Sequence, residues 1–399
     1  MNHSRPAMPG LWTPVAESDR IPVELRREGA FTPYPLRTNV VLSPRSVRVL
    51  ADAQEKLGRL DEAALRLSHS TTLVRLTQVR EAHRSAAVDG VPSALREVLA
   101  SQLPGVRRRS DLEPGIDRYL RASDVAFTAL RQGVPIDVAL LQTVAAAFAG
   151  EGHAPERVWR TEHTAIGAAS VGEVLVATPP GAAARAGLEQ LVTWAAEDDY
   201  LQIVGRMALA LYQLEVLRPF GFGNGHIARL FIAMQLARAG LVRDHLLPIS
   251  EVIDSRSAEY WSHIRRIADT GDIEPWLVFI GEAIITVCEA EVRLIKTLED
   301  LRKHLVQTLP KRCTGVIRDV TAGLIDSPVT NPGAIADRYG ISISKAHDIT
   351  NRLMTAKVIT PLDDKTYGRA FVCEAVLRHL TPGEALAPDS DAAITSGAR

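Results

Sequence analysis

The chain has 399 residues, 46% of them hydrophobic, and a nearly balanced charge of 46 Lys+Arg against 47 Asp+Glu, net -1. That apolar content supports a large core and two or three domains, and the balance excludes a global basic field for nucleic acid or an anionic membrane; any such contact is local. Cys288, Cys313 and Cys373 form no Cys-x-x-Cys or Cys/His cluster, no signal-peptide core opens the chain, and Glu282, Glu289 and Glu291 break the longest apolar run, so a cytoplasmic protein without a membrane span is expected.

Residues 1–40 scatter Pro, Gly and Arg without a period and read as an irregular N-terminal arm. Residues 41–110 read as a helical N-terminal region: apolar residues recur at helical spacing in VRVLADAQEKLGRL and LVRLTQVREAHRSAAV, and SALREVLASQL follows the break at Val91-Pro92. Residues 111–310 form the main body. GIDRYLRASDVAFTALRQG and PIDVALLQTVAAAFAG are expected helices, the second bounded by Pro135 and Gly150.

Small residues, Gly167, Gly172 and the β-favouring run EVLVA then interrupt the helical pattern over 160–182, and Pro179-Pro180 closes a small hairpin or flap. LQIVGRMALALYQLEVL (201–217) is apolar nearly all round, as a helix at the centre of a domain is. After a Gly-rich turn, Ile227, Leu230, Phe231 and Met234 recur at helical spacing, so a second core helix starts near Gly225. Residues 311–380 give helix, turn, helix and two short strands, the order of a winged helix-turn-helix, and residues 381–399 read as a disordered tail.

The turn reads RPFGFGNGH from Arg218 to His226. Gly221, Gly223 and Gly225 permit positive φ and close approach of a ligand, and the helix after them offers unpaired N–H groups at its positive end, together an anion nest. Glycines at a close-packed corner between two core helices would look the same, so spacing alone leaves both readings open.

The longer string RPFGFGNGHIAR resembles the Fic-family signature HPFx(D/E)GNGRxxR, matching at Pro219, Phe220, Gly223, Asn224, Gly225 and Arg229. Stretches from about residue 33 to 310 are similar to the family's flanking helices. The resemblance implies a mainly α fold: a Fic-type helical bundle with a small β-hairpin flap, here joined to a C-terminal winged helix-turn-helix. It also implies AMP transfer from ATP to a protein hydroxyl, with a target segment held at the flap (160–178), Asn224 and the glycines on phosphates, and arginines neutralising charge.

Three signature positions depart. Arg218 stands where the family's basic histidine would be, Phe222 where the metal-binding carboxylate would be, and His226 where the first arginine would be. A guanidinium stays protonated and offers only donors, and Phe222 has no oxygen for Mg²⁺. Ordinary Mg-dependent AMPylation is therefore expected to be lost or replaced, no metal residues are assigned, and ATP or another phosphate-bearing anion is the ligand class. Gly223, Asn224, Gly225, Arg218 and Arg229 are the expected phosphate-binding residues. His226, near a helix N-terminus that favours the neutral imidazole, is the candidate for acid/base work with Arg218; the bland reading is that both line a decayed nucleotide pocket.

The segment SAAVDG (85–90) resembles the family's inhibitory pattern (S/T)xxxE(G/N), which implies a regulatory role for Ser85 and Asp89 toward Arg229; alternatively Asp89-Gly90 simply ends a helix. From Lys311 to Arg378, ten Lys+Arg face seven Asp+Glu. Lys345, His347, Asn351 and Arg352, with Lys365 and Arg369 on the wing, would meet DNA through 329–372, or the domain docks or dimerises instead. A ligand-responsive pseudoenzyme or transcriptional regulator, and residual AMPylation, stand as alternatives; a homodimer is compatible with the sequence. His153, His163, Ser250 and Tyr260 are lesser pocket candidates, against loop or structural roles.

Overall fold

A computed structural model describes residues 10–15, 21–37, 40–66, 70–105, 114–150, 152–168, 173–197, 201–362 and 369–381. Gly172 of the flap, Lys365 of the wing and the tail beyond 381 lie outside the described residues. Contacts divide the chain into two compact units, Met1–Pro92 with Glu113–Val292, and Ser93–Leu112 with Arg293–Arg399. The second unit thus begins earlier than the expected residue 311 and recruits a segment from the N-terminal region.

In the first unit the arm is ordered where described: β1 (Gly10–Thr13), α1 (Val23–Glu28) and β2 (Ala30–Pro33). The irregular reading failed because these elements are short and their apolar residues, Ile21, Leu25 and Ala30, are buried in a cluster with Ala177, far along the chain. α2 (Pro44–Leu65) starts where Ser43 accepts from the Ser46 amide at 3.2 Å and Pro44 presets the first turn. α3 (Ser70–Val88) runs into the Asp89-Gly90 turn; α4 (Leu95–Ser101) belongs to the second unit.

α5 (Pro114–Arg131) precedes α6 (Val138–Ala149). α6 begins three residues after Pro135, because Asp137 supplies the acceptor its amides need, taking the Leu140 N–H at 2.8 Å. β3 (Ala165–Ala168) and β4 (Glu173–Ala177) form the expected hairpin, but it is half of a four-stranded sheet in the order β1-β2-β4-β3, with Ala30 of β2 bridging Ala177 in parallel. α7 (Gly181–Ala196), α8 (Ile203–Leu217), α9 (Asn224–Arg238), α10 (Ser250–Ser255), α11 (Ser257–Thr270) and α12 (Glu274–Thr308) follow.

α8 and α9 pack on each other at the core, and α3 and α5 pack on α9. Both central helices are buried on every face, from Val204 and from Asn224 nearly to their ends, with Arg206 of α8 excepted. Each fully buried Leu, Ile or Phe there contributes roughly 1.5–3 kcal/mol. Such a helix tolerates polar side chains only where partners exist. Gln213 accordingly donates to the Tyr34 carbonyl at 3.1 Å.

In the second unit α13 (Val316–Ala322), β5 (Val329–Thr330), α14 (Pro332–Tyr339), α15 (Ile343–Thr355), β6 (Thr360–Pro361), β7 (Phe371–Val372) and α16 (Glu374–Leu380) follow in order. Their sheet runs β5-β7-β6, antiparallel throughout. Asn331 caps α14 through the Ala334 amide at 2.7 Å and donates to the Pro104 carbonyl at 2.8 Å, tying the recruited segment down. Gly340, at φ 60, turns the chain between α14 and α15. The chain is mostly helical with small sheets, and no helix among the described residues is long and apolar enough to cross a membrane.

Candidate anion-binding site

The loop between α8 and α9 is held from both sides. Arg218 caps α8 in the left-handed region, φ 43 and ψ 60, a conformation costing a non-glycine residue roughly 1–2 kcal/mol. Arg160 offsets that cost: its Nε donates to the Arg218 carbonyl at 2.7 Å and its Nη2 to the Leu217 carbonyl at 2.9 Å. A cation there also meets the negative end of α8. Burial, then the neighbouring Arg218 charge, pushes the Arg160 guanidinium down to about 10. Backbone bonds from Arg160 to Pro219 (3.0 Å) and from Gly221 to Val158 (2.8 Å) complete the seam, and Trp159 stacks on Phe220. Sequence reasoning missed Arg160, since nothing local distinguishes it.

The three glycines serve different ends. Only Gly223 has a positive φ, 62°, and a Cβ on it would stand 2.3 Å from the Phe148 ring. Gly225 has ordinary helical backbone, but a Cβ would meet Arg229 Nη1 and Asp89 Oδ1 at 2.9 Å. A Cβ on Gly221 meets only the Val158 carbonyl oxygen, at 3.7 Å. The expectation of positive φ at all three is corrected accordingly. Asn224 spends its side chain on the loop itself: Oδ1 accepts from the Phe220 amide at 2.9 Å and Nδ2 donates to the Phe220 carbonyl at 2.7 Å. α9 has no side-chain N-cap, so its first-turn amides lack the acceptor that capped helices such as α2 and α6 carry.

Beneath the loop lies a closed polar network. The fully buried Arg229 donates from Nε to Ser85 Oγ (2.8 Å) and from Nη2 to the Ser85 carbonyl (3.0 Å) and Asp89 Oδ2 (3.1 Å). Its Nη1 meets Glu215 Oε1 at 3.3 Å, and that oxygen also accepts from Tyr260 at 2.8 Å. Burial alone would lower the Arg229 pKa, but Asp89 and Glu215 outweigh it and hold it above the usual range. Burial alone would raise Asp89, but Arg229, His226 and Arg218 keep it below the usual range. Glu215 goes the other way, raised by burial against Arg229. An aspartate therefore spans the gap to Arg229 in spite of its shorter side chain.

His226 belongs to this network. Its Nδ1 is 2.7 Å from Ser85 Oγ and its Nε2 is 3.3 Å from Asp89 Oδ2. The ionised Asp89 carboxylate only accepts, so in the neutral ring Nε2 carries the proton toward it and Nδ1 takes the Ser85 hydrogen. Burial, opposed by Asp89 and aided by Arg229 and Arg218, pushes the imidazole down to about 4. The ring is neutral as expected, but through desolvation, and it presents a committed N–H where acid/base work called for a free acceptor.

Above the loop a cavity of about 440 Å³ is lined by Arg218, Asp89, Phe148, Phe222, Trp261 and, from α5, Arg118. Arg218 Nη1 lies 3.7 Å from Glu215 Oε2. Phe222 is 48% exposed at the mouth, edge-on to His153 at 5.6 Å. The remaining candidates fall elsewhere: Ser250 is buried and donates from its amide to Glu81 at 2.9 Å, Tyr260 stands behind Glu215, and His163 Nδ1 lies 2.9 Å from the Thr178 carbonyl.

The Fic/DOC family N-terminal model matches residues 47–128, and the Fic/DOC family model matches residues 135–236, which contain the loop. Residues 47–128 and 135–236 belong to the Fic/DOC family. The Fic protein is 28% identical over 115 residues to protein adenylyltransferase fic-1 of Caenorhabditis elegans, covering 28% of this chain and 21% of that one. It is also 28% identical over 97 residues to the Caenorhabditis briggsae protein of the same name, covering 24% and 18%. The chain thus spans about a fifth of the length of the curated relatives it matches. A solved Fic family protein from Desulfovibrio desulfuricans G20 shares the fold: TM-score 0.52, 18% identity, 85% of this chain and 98% of that one.

A divalent cation of the kind that the Fic signature implies does not fit the residues present. Among the described residues the cavity offers one carboxylate, Asp89, already bound to Arg229 and His226, while Phe222 offers no oxygen. Among the described residues no group of three or more His, Cys, Asp or Glu could hold a metal.

Proposed function

We propose that this Fic protein binds a phosphate-bearing anion in the cavity above the α8–α9 loop and does not carry out metal-assisted AMP transfer to protein hydroxyls. The observation that carries this reading is Arg218, a permanent cation at the position of the signature base and on the cavity wall. The uncapped amides of α9 supply neutral donors beside it. His226 does not replace the base, since both its nitrogens are engaged by Ser85 and Asp89. A general base contributes roughly 10²–10⁴-fold in rate, so its loss leaves a binding site with little transfer chemistry.

Incubation with α-labelled ATP, MgCl₂ and a cell lysate is expected to leave proteins unlabelled, while ADP or inorganic pyrophosphate binds in calorimetry. Mg-dependent label on a protein hydroxyl would remove this reading.

A second reading concerns the output. In the second unit, read as a winged helix-turn-helix, α15 leaves Lys345, His347, Asn351 and Arg352 exposed, while Ala346, Ile349 and Leu353 face its core. That face suits the DNA major groove, although Asp348 stands 3.7 Å from Arg352 and dilutes the charge. An electrophoretic mobility shift with genomic fragments at low salt, with and without ADP, tests it; no shift in either state removes DNA as the output.

A further inference from the structure

Arg118 lies outside the Fic signature, on α5, yet lines the same cavity as Arg218. It is half-buried, and among the described residues its guanidinium has no hydrogen bond or ion pair. The contrast with other arginines of this unit is chemical. Arg80 is bound by Glu291 at 2.9 Å, Arg229 by Asp89 and Glu215, and Arg243 by Asp61 at 3.0 Å. A partly desolvated cation on a cavity wall without a carboxylate partner is a costly arrangement unless a mobile anion supplies the partner. Among the described residues that line it, the one carboxylate, Asp89, is held by Arg229 and His226.

We infer that Arg118 and Arg218 together replace the divalent cation, so that the cavity takes a diphosphate group, free or as a nucleoside diphosphate, without metal. This rests on the anion-binding reading and adds its charge balance. Two guanidiniums supply the two positive charges that a bound Mg²⁺ would bring, as fixed forks matched to phosphate oxygens. The α9 amides supply further donors, and a cavity of about 440 Å³ accommodates a group of that size. Phe222 belongs to the same logic. Its half-exposed ring, with Phe148 and Trp261, adds aromatic surface beside the arginines and leaves nothing to ligate a hard cation. In this arrangement Arg118 is a binding residue that sets the charge preference of the site.

The test is isothermal calorimetry on the full chain with ADP and with inorganic pyrophosphate, each in EDTA and in excess MgCl₂. The native protein is expected to bind in EDTA with a Kd within about threefold of that in MgCl₂. Arg118→Gln should weaken binding about tenfold or more in both buffers, the loss typical of a charged hydrogen bond. Arg118→Lys should recover part of it. Because Arg118 has no partner among the described residues, both variants are expected to keep the native thermal midpoint. A Kd that requires Mg²⁺, or one unmoved by Arg118→Gln, overturns the metal-free site while leaving anion binding standing. Absence of heat with both probes in both buffers removes the anion-binding reading and this inference with it.

Discussion

Two regions separated by one turn of chain use the same side chain in opposite ways. Under the α8–α9 loop, Arg229 is fully buried and held by two carboxylates and a hydroxyl: Asp89, Glu215 and Ser85. Above the loop, Arg218 and Arg118 line a cavity with one distant contact between them, Arg218 to Glu215 at 3.7 Å. A guanidinium surrounded by acids is part of the framework. One facing open space is available to a ligand, with Asp89 and Glu215 at the boundary between the two.

The sharpest way to break that comparison is Arg229→Met. It leaves Asp89 and Glu215 as uncompensated charges in or near the core, so stability should fall by about 3–5 kcal/mol in urea denaturation, more than any change on the cavity side. A loss similar to that of Arg118→Gln would mean that the network is not structural.

The loop's glycines should divide along the same line. Gly223→Ala forces a left-handed residue into the Phe148 ring and should cost roughly 2–4 kcal/mol, whereas Gly221→Ala should stay within roughly 0.5 kcal/mol. Equal effects in thermal unfolding would show that the corner is not built as described.

The smallest effect is one of pH. His226 and His245, pushed down to about 4 and about 3 chiefly by burial, are neutral in the fold but charge near 6.5 when unfolded. The unfolded chain then binds more protons below pH 6.5, so stability is full above that pH and falls as the pH drops toward 4. Glu81, pushed up to about 7 by burial, acts in the opposite sense from its ordinary 4.5 upward and offsets one histidine. Glu215 and Glu291, also raised by burial, act in the same sense as Glu81, so the readout is the change in slope: His226→Gln should reduce the rise of stability with pH by one proton, about 1.4 kcal/mol per pH unit, between about pH 4.5 and 6.5. A slope unchanged in that variant would show that His226 is not held neutral.

Much of this was legible beforehand, for reasons that differ by residue. Periodicity in 201–217 and from Ile227 located α8 and α9 because a helix buried all round needs no partner to be recognised. The signature string located the loop, and the absence of a base and a metal ligand followed from the chemistry of Arg218 and Phe222 alone. Local sequence misread the arm, whose β1 and β2 are too short for a period and are secured through Ala177.

Only the tertiary structure decided what each polar group near the loop can do. Ser85 and Asp89 reach Arg229 across 144 and 140 positions because α3 packs on α9, and that same approach takes both nitrogens of His226. Arg118 enters the cavity because α5 packs there too. A sequence fixes which groups a chain carries and, through periodicity, which helix faces are apolar. Whether a cation meets a carboxylate or open space is set by distances of 3–4 Å between helices, and those exist only once the core has packed.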